Sequence, residues 1–265
     1  MSLNYQATGI IVKKQPFGED DILVTFLAID RGLIKAIAPQ ARYHKSSLRG
    51  KTELLMVNQF SLVKGKNLDR ILEMDTIQSY PKLSRNIKKL TISQFLAEVV
   101  LNIAMKEQSQ AELYTLFNEH LRRIEHLSTS DNIFPYLCQA VFHFLAVTGI
   151  APSIYNCIYT QQSVNPNFDI PHWHIGFSYQ GGGIYTPVTH NPQETKLNAL
   201  ELFLLQSLSS KTLDSIKHNI PSHYDTDDIQ KAWQTVETTL KTYLEFYLGH
   251  ALKSARIMTD ILLSR

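Results

Sequence analysis

ATGIIVKKQPFGEDDILVTFLAIDRGLIKAIA, residues 7–38, holds three short runs rich in Ile, Val, Leu and Thr. The runs are 7–14, 21–29 and 33–38, and the polar breaks PFGED and DRG divide them. Short β-branched runs between turn residues read as strands joined by tight connections. Two further runs follow, 54–64 (LLMVNQFSLVK) and 68–78 (LDRILEMDTIQ), across Gly65-Lys66-Asn67. The last alternates, with Ile71, Glu73, Asp75 and Ile77 on one parity and Leu72, Met74 and Thr76 on the other. Five strands in so short a length fit a small closed barrel, with segment 39–53 between the third and fourth. An oligonucleotide/oligosaccharide-binding (OB) barrel has five strands and usually an extra element in that gap. An SH3-like barrel has a similar strand content and stays open as the alternative.

Charge is unevenly placed. The whole chain of 265 residues carries a formal net charge of only +2. The window 31–66, however, contains Arg31, Lys35, Arg42, Lys45, Arg49, Lys51, Lys64 and Lys66 against Glu53 alone. Within it RYHKSSLRGK, residues 42–51, has no acid at all. A basic block beside a neutral remainder is the usual footprint of a polyanion-binding surface. Tyr43, Phe17 and Phe60 add aromatic faces on which bases could stack, and Ser46, Ser47 and the amides near Gly50 could donate to phosphates.

After Pro81 the period changes. Ile92, Phe95, Leu96, Val99, Val100 and Ile103 lie on one helical face, as do Leu113, Leu116, Phe117, His120, Leu121 and Ile124. A third helix is predicted to start at an Asp131 N-cap and stop before Gly149 and Pro152, with further helices over 194–208, 227–248 and 251–263. Residues 153–191 are poor in charge and rich in Asn, Gln, Tyr, Gly and Pro, which predicts a loop-rich insert with short strands near 173–178 and 183–188. The expected fold class is α+β and multidomain: a barrel over 1–80, a helical domain over 81–152 and 192–265, and the insert at 153–191.

No phosphate-cradling GxGxxG or GxxxxGK[ST] loop occurs, and 176–181 is one residue too long for a GxSxG nucleophile elbow. The three carboxylates of GEDD (18–21) alternate across a strand entry and do not form an acid/base pair. Cys157, His172, His174 and His190 raise the question of zinc, but Thr160 stands where a CxxC partner of Cys157 would be. Packing or surface roles for these residues are the simpler account. Cys138 and Cys157 make no disulfide framework. The start lacks a secretory pattern and no run of about 18 apolar residues exists, so a cytoplasmic protein is expected.

Residues 7–50, with the "A-R…K-S-x-L-R" segment at 41–49, resemble the N-terminus of the bacterial DNA repair protein RecO family. The resemblance continues through NQFSLVKGKNLDRILEMDTIQSYPKL and FLAEVV, and YLEFYLGHALKSARIM resembles the family's closing helix. It implies an OB barrel, a helical domain and a zinc-binding insert. It also implies DNA strand annealing and, with RecR, loading of recombinase onto DNA coated by single-stranded-DNA-binding protein, without ATP. Two departures stand out. Of the family's CxxC…CxxC ligands only Cys157 is present, so no zinc is expected. Gln40 replaces a glycine usual before "A-R", which predicts a different turn there.

The reading is therefore a non-enzymatic recombination mediator, nucleoid-associated, binding single- and double-stranded DNA. The expected DNA contacts are Lys35, Arg42, Lys45, Arg49, Lys51, Lys64 and Lys66, and Lys253 and Arg256 are placed to meet an acidic partner peptide. The alternatives are a helical protein-interaction adaptor with a structural barrel, and a metal-dependent hydrolase using the insert.

Overall fold

The computed structural model describes residues 4–186, 195–213 and 216–263. These form two compact units, 1–127 with 252–265, and 128–251. Composition alone places the boundaries near 80 and 152; contacts group the first two helices and the last with the barrel.

The first unit is built on five strands: β1 (Asn4–Phe17), β2 (Asp21–Ala28), β3 (Gly32–Ala38), β4 (Val57–Val63) and β5 (Asp69–Gln78). The ladders run β1-β2-β3-β5-β4 and return to β1. All are antiparallel except β3–β5, which is parallel and paired at only two positions, Ala36↔Asp69 and Ile37↔Arg70. This order, with β3 beside β5, is that of an OB barrel and decides between the two barrel types. β1 pairs with β4 through Asn4–Ile10 and with β2 through Gly9–Phe17, bending at a bulge between Ile11 and Lys13. Alternate side chains fill the interior: Val24, Phe26 and Ala28; Ile34, Ala36 and Ala38; Phe60 and Leu62; Ile71 and Met74. The Phe26 and Phe60 rings stack with centroids 3.9 Å apart. Gly9 is required there, since a Cβ would lie 2.5 Å from the Phe26 ring.

Helices α1 (Ile87–Ile103), α2 (Ala111–His126) and α7 (Lys253–Leu263) complete this unit. The apolar faces predicted for α1 and α2 are buried, apart from half-buried Ile103 and Leu116. Asn86 caps α1 by accepting the Lys89 N–H at 3.1 Å. The buried Lys89 ammonium donates to the carbonyls of Glu125 and Leu127 at the end of α2, where a cation is favoured. α7 packs on α1 through Ala255, Met258 and Leu262.

The second unit joins α3 (Phe134–Val147), α4 (Ala199–Ser207), α5 (Ile216–Asn219) and α6 (Thr226–Leu248) to a small sheet, β7-β6-β8. Its strands are β6 (His174–Ser178), β7 (Gly183–Tyr185) and β8 (Thr195–Asn198). Two predictions need correction. Asp131 does not cap α3; it accepts the Ser128 N–H at 2.7 Å, and the helix begins after Ile133, helped by Asn132 accepting the Phe134 N–H. The helix expected from 194 begins at Ala199, because Asn198 and Glu201 form a capping box and residues before them pair with β6. The insert is pinned to α4: the Gln206 amide donates to the carbonyls of Ile154 and Val164, at 2.8 and 2.9 Å.

Candidate nucleic-acid interface

Segment 39–53 leaves β3 as a run of turns and ends in a single 3-10 turn, Gly50–Thr52. Its sequence has few apolar residues, and only two of them, Ala41 and Leu48, are buried; Thr52 is buried beside them and Leu55 just beyond its end. Gln40 takes φ 52°, the left-handed region that favours glycine. Gln40 thus holds a glycine-type conformation at this position. Its N–H donates to Asp21 at 2.8 Å, and the Tyr43 hydroxyl donates to Asp20 at 2.9 Å. The acids of GEDD thus hold this segment against the β1–β2 turn.

The five basic residues of 42–51 separate. Arg42 bends back and donates to the carbonyls of Gly18 and Glu19. Lys51 donates to the Met74 carbonyl and pairs with Asp75 at 3.0 Å. Both are engaged within the chain. His44, Lys45 and Arg49 are exposed and have no side-chain partner among the described residues. Lys45 and Lys51 line an open groove of about 980 Å³, whose far wall is Leu72, Glu73 and Asp75 of β5. Leu72 is 48% exposed, an apolar step at the edge of the groove.

A second groove, of about 530 Å³, opens at the starts of β3 and β5. Lys35 and Lys64 line it, with Arg31, Lys106 and the acids Asp30, Asp69 and Glu107. Asp69 is buried and fully occupied: it accepts the Tyr5 hydroxyl and the Gly65 N–H and faces Lys64 at 3.9 Å. The Tyr5 ring in turn carries the Arg31 guanidinium, 4.7 Å from its centroid. Burial and the Asp69 carboxylate push the Tyr5 hydroxyl well above its ordinary pKa, so it stays a donor. Lys66 is exposed on the β4–β5 loop, outside both grooves.

The register exposes two cations that neither groove contains. Pairing sets Lys13, Thr25 and Lys35 in one row across β1, β2 and β3. The next row is Gln15, Leu23, Ile37 and Arg70. Lys13 and Arg70 are exposed in these rows. Arg70 belongs to the basic flank of the sequence; Lys13 carries no signal, because its place depends on the bulge beside it. Lys253 and Arg256 lie exposed on the first turns of α7, whose leading amides are held by Glu98.

The described residues of the insert do not assemble a zinc ligand set. Among the described residues no three His, Cys, Asp or Glu side chains come together. Cys157 is buried and its sulfur meets the Thr186 N–H at 3.4 Å. Burial raises its pKa, but donors from Thr160, Thr186 and Tyr159 outweigh burial and bring it to about 6. Thr160 thus stands where a second thiolate would be needed. His172 and His174 are exposed, and His190 lies outside the described residues. Cys138 is buried as a free thiol in the same unit.

The fold and its surface define an OB-barrel protein with cations on both sides of the β3–β5 junction and an appended α+β body. Family models agree in detail. "Recombination protein O N terminal" matches residues 1–80 and "Recombination protein O C terminal" matches residues 84–256. The chain is 43% identical to "DNA repair protein RecO" of Gloeothece citriformis (strain PCC 7424), covering 98% of both chains. It is 42% identical to the protein of that name from Synechocystis sp. (strain ATCC 27184 / PCC 6803 / Kazusa), again over 98% of both. The chain belongs to the RecO family of DNA repair and recombination proteins. No helix among the described residues is long and apolar enough to cross a membrane.

Proposed function

We propose that this chain is a recombination mediator that binds single- and double-stranded DNA through phosphates and anneals complementary strands. The observation that carries this reading is a pair of neighbouring cation-bearing grooves beside the β3–β5 junction. Lys35, Lys45 and Lys64 supply contacts within the grooves, and Arg49 and Lys66 supply contacts beside them. Arg42 and Lys51 support the fold of segment 39–53 first and reach phosphate second. Annealing of this kind needs no covalent step and no nucleotide: neutralising phosphates lowers the repulsion between two backbones, and holding both strands raises their local concentration.

In this reading the partners are RecR, which joins it in loading recombinase, and single-stranded-DNA-binding protein, whose acidic peptide Lys253 and Arg256 would meet. It works in the cytoplasm, at the nucleoid. The test is annealing of complementary oligonucleotides precoated with single-stranded-DNA-binding protein, comparing the native chain with Lys45→Glu/Arg49→Glu. Annealing that falls with rising salt and is lost in the double variant is expected. Equal annealing by the two proteins, or a flat salt titration, would leave the barrel a structural base for a helical adaptor.

A further inference from the structure

The two grooves are neighbours. Asp69 lines one and Leu72 the other. Three residue steps along β5 separate these two side chains, about 10 Å at a rise of roughly 3.3 Å per residue. The gap between them is filled by Arg70 and its register partner Ile37, both on the outer surface of the sheet. Travelling along β5, the surface offers Lys35 and Lys64, then Arg70, then Leu72 and Lys45.

A strand bound to this sheet has a second geometrical option, to cross it along the row Arg70, Ile37, Leu23 and Gln15. That row leads to Phe17 and the β1–β2 turn, which carries Glu19, Asp20 and Asp21. The one arginine beside this turn, Arg42, is folded onto its carbonyls. Phosphates arriving there would meet three carboxylates and one cation. Along the seam cations face the acids more evenly: Asp69 is buried under Tyr5, Gly65 and Lys64, Asp75 is paired with Lys51, and Asp30 and Glu107 share their groove with Arg31, Lys35, Lys64 and Lys106. Glu73 remains on the far wall of the groove, so the backbone runs on the Lys45 side.

We propose that a single nucleic-acid strand follows the β3–β5 seam, from Arg31, Lys35 and Lys64 past Arg70 to Lys45, and does not cross the sheet to the β1–β2 turn. Cations at each step take the phosphates, and the exposed Leu72 and half-buried Ile37 lie under the bases. The proposal rests on the DNA-binding reading above and adds to it a route.

The route is tested on the full chain by fluorescence anisotropy with labelled oligo-dT of about 4 to 16 nucleotides, the span of OB-type sites. The variants are Arg70→Glu, Lys45→Glu and Lys13→Glu, all at exposed positions, with thermal melts to confirm folding. Arg70→Glu and Lys45→Glu should each weaken the longer oligonucleotides roughly tenfold, and each should lower the log–log salt slope by about 0.7. Lys13→Glu should change affinity less than about twofold, because its row leads away from the seam. A loss from Lys13→Glu as large as that from Lys45→Glu, or no loss from Arg70→Glu or Lys45→Glu, overturns the route. A native chain that binds none of these oligonucleotides overturns the DNA-binding reading itself, and the route with it.

Discussion

Segment 39–53 and the β4–β5 loop flank the same junction, and both are basic, yet they use their cations differently. In the longer segment, two cations share the holding with Asp20 and Asp21: Arg42 and Lys51 tie it to backbone carbonyls and to Asp75. In the shorter loop an acid does the holding, since Asp69 gathers Gly65, Tyr5 and Lys64. A count of positive residues therefore overstates what the first can offer a polyanion and describes the second more fairly. Charge in a sequence becomes available charge only after the fold has taken its share.

The largest effect expected from this contrast is at Gly65. A Cβ there would lie 1.8 Å from the Leu68 carbonyl oxygen, a backbone clash that no side-chain movement relieves. Gly65→Ala should cost about 3 kcal/mol by urea denaturation and loosen the only loop that presents Lys66. A cost below about 0.5 kcal/mol would mean that the loop has another conformation at hand, and that Asp69 does not define it.

Next comes a pair within one segment. Lys51→Ala should lose about 1 kcal/mol, because a charged donor to a half-buried carbonyl is removed and its ion pair with Asp75, itself largely exposed, adds little. Lys45→Ala should leave stability within about 0.5 kcal/mol while weakening DNA. The measurement is a denaturation curve and a binding isotherm for each protein. Two variants with the same profile would erase the distinction between holding and presenting cations.

Much of this fold can be read from residues, and the reason is periodic burial. The alternation in 68–78 and the apolar faces of 92–103 and 113–124 map onto β5, α1 and α2, which each bury one face, and the β-branched runs 21–29 and 33–38 map onto β2 and β3. β8 was missed because TKLN is only four residues and half of it faces solvent, so it carries no period. The candidate site is less legible. Lys35, Lys45 and Lys64 stand out by composition, but the roles of Arg42 and Lys51 depend on carbonyls of Gly18, Glu19 and Met74 that no pattern announces. Lys13 joins the row of Lys35 only through the register beyond the β1 bulge.

The smallest expected effect extends the contrast to the C-terminus, where Glu98 plays for α7 the part that Asp69 plays for the β4–β5 loop. Its carboxylate accepts the N–H groups of Lys253 and Ser254 at 3.0 and 2.8 Å, and the Ser254 hydroxyl as well. A carboxylate is favoured at these amides by the helix dipole. Partial burial raises the Glu98 pKa, but the bonds from Ser254 and Lys253 outweigh it and leave the group below its ordinary value. A carboxyl with a lowered folded pKa stabilises above its unfolded pKa, about 4.3 for Glu, and loses that contribution as pH falls through the folded value. Glu98→Gln should therefore cost about 0.5 kcal/mol at neutral pH, with the difference from the native chain shrinking below about pH 4. Urea denaturation at both pH values reads this directly. A difference that stays constant with pH would assign the cap to hydrogen bonding alone, and charge would then hold the β4–β5 loop but not the helix that carries Lys253 and Arg256.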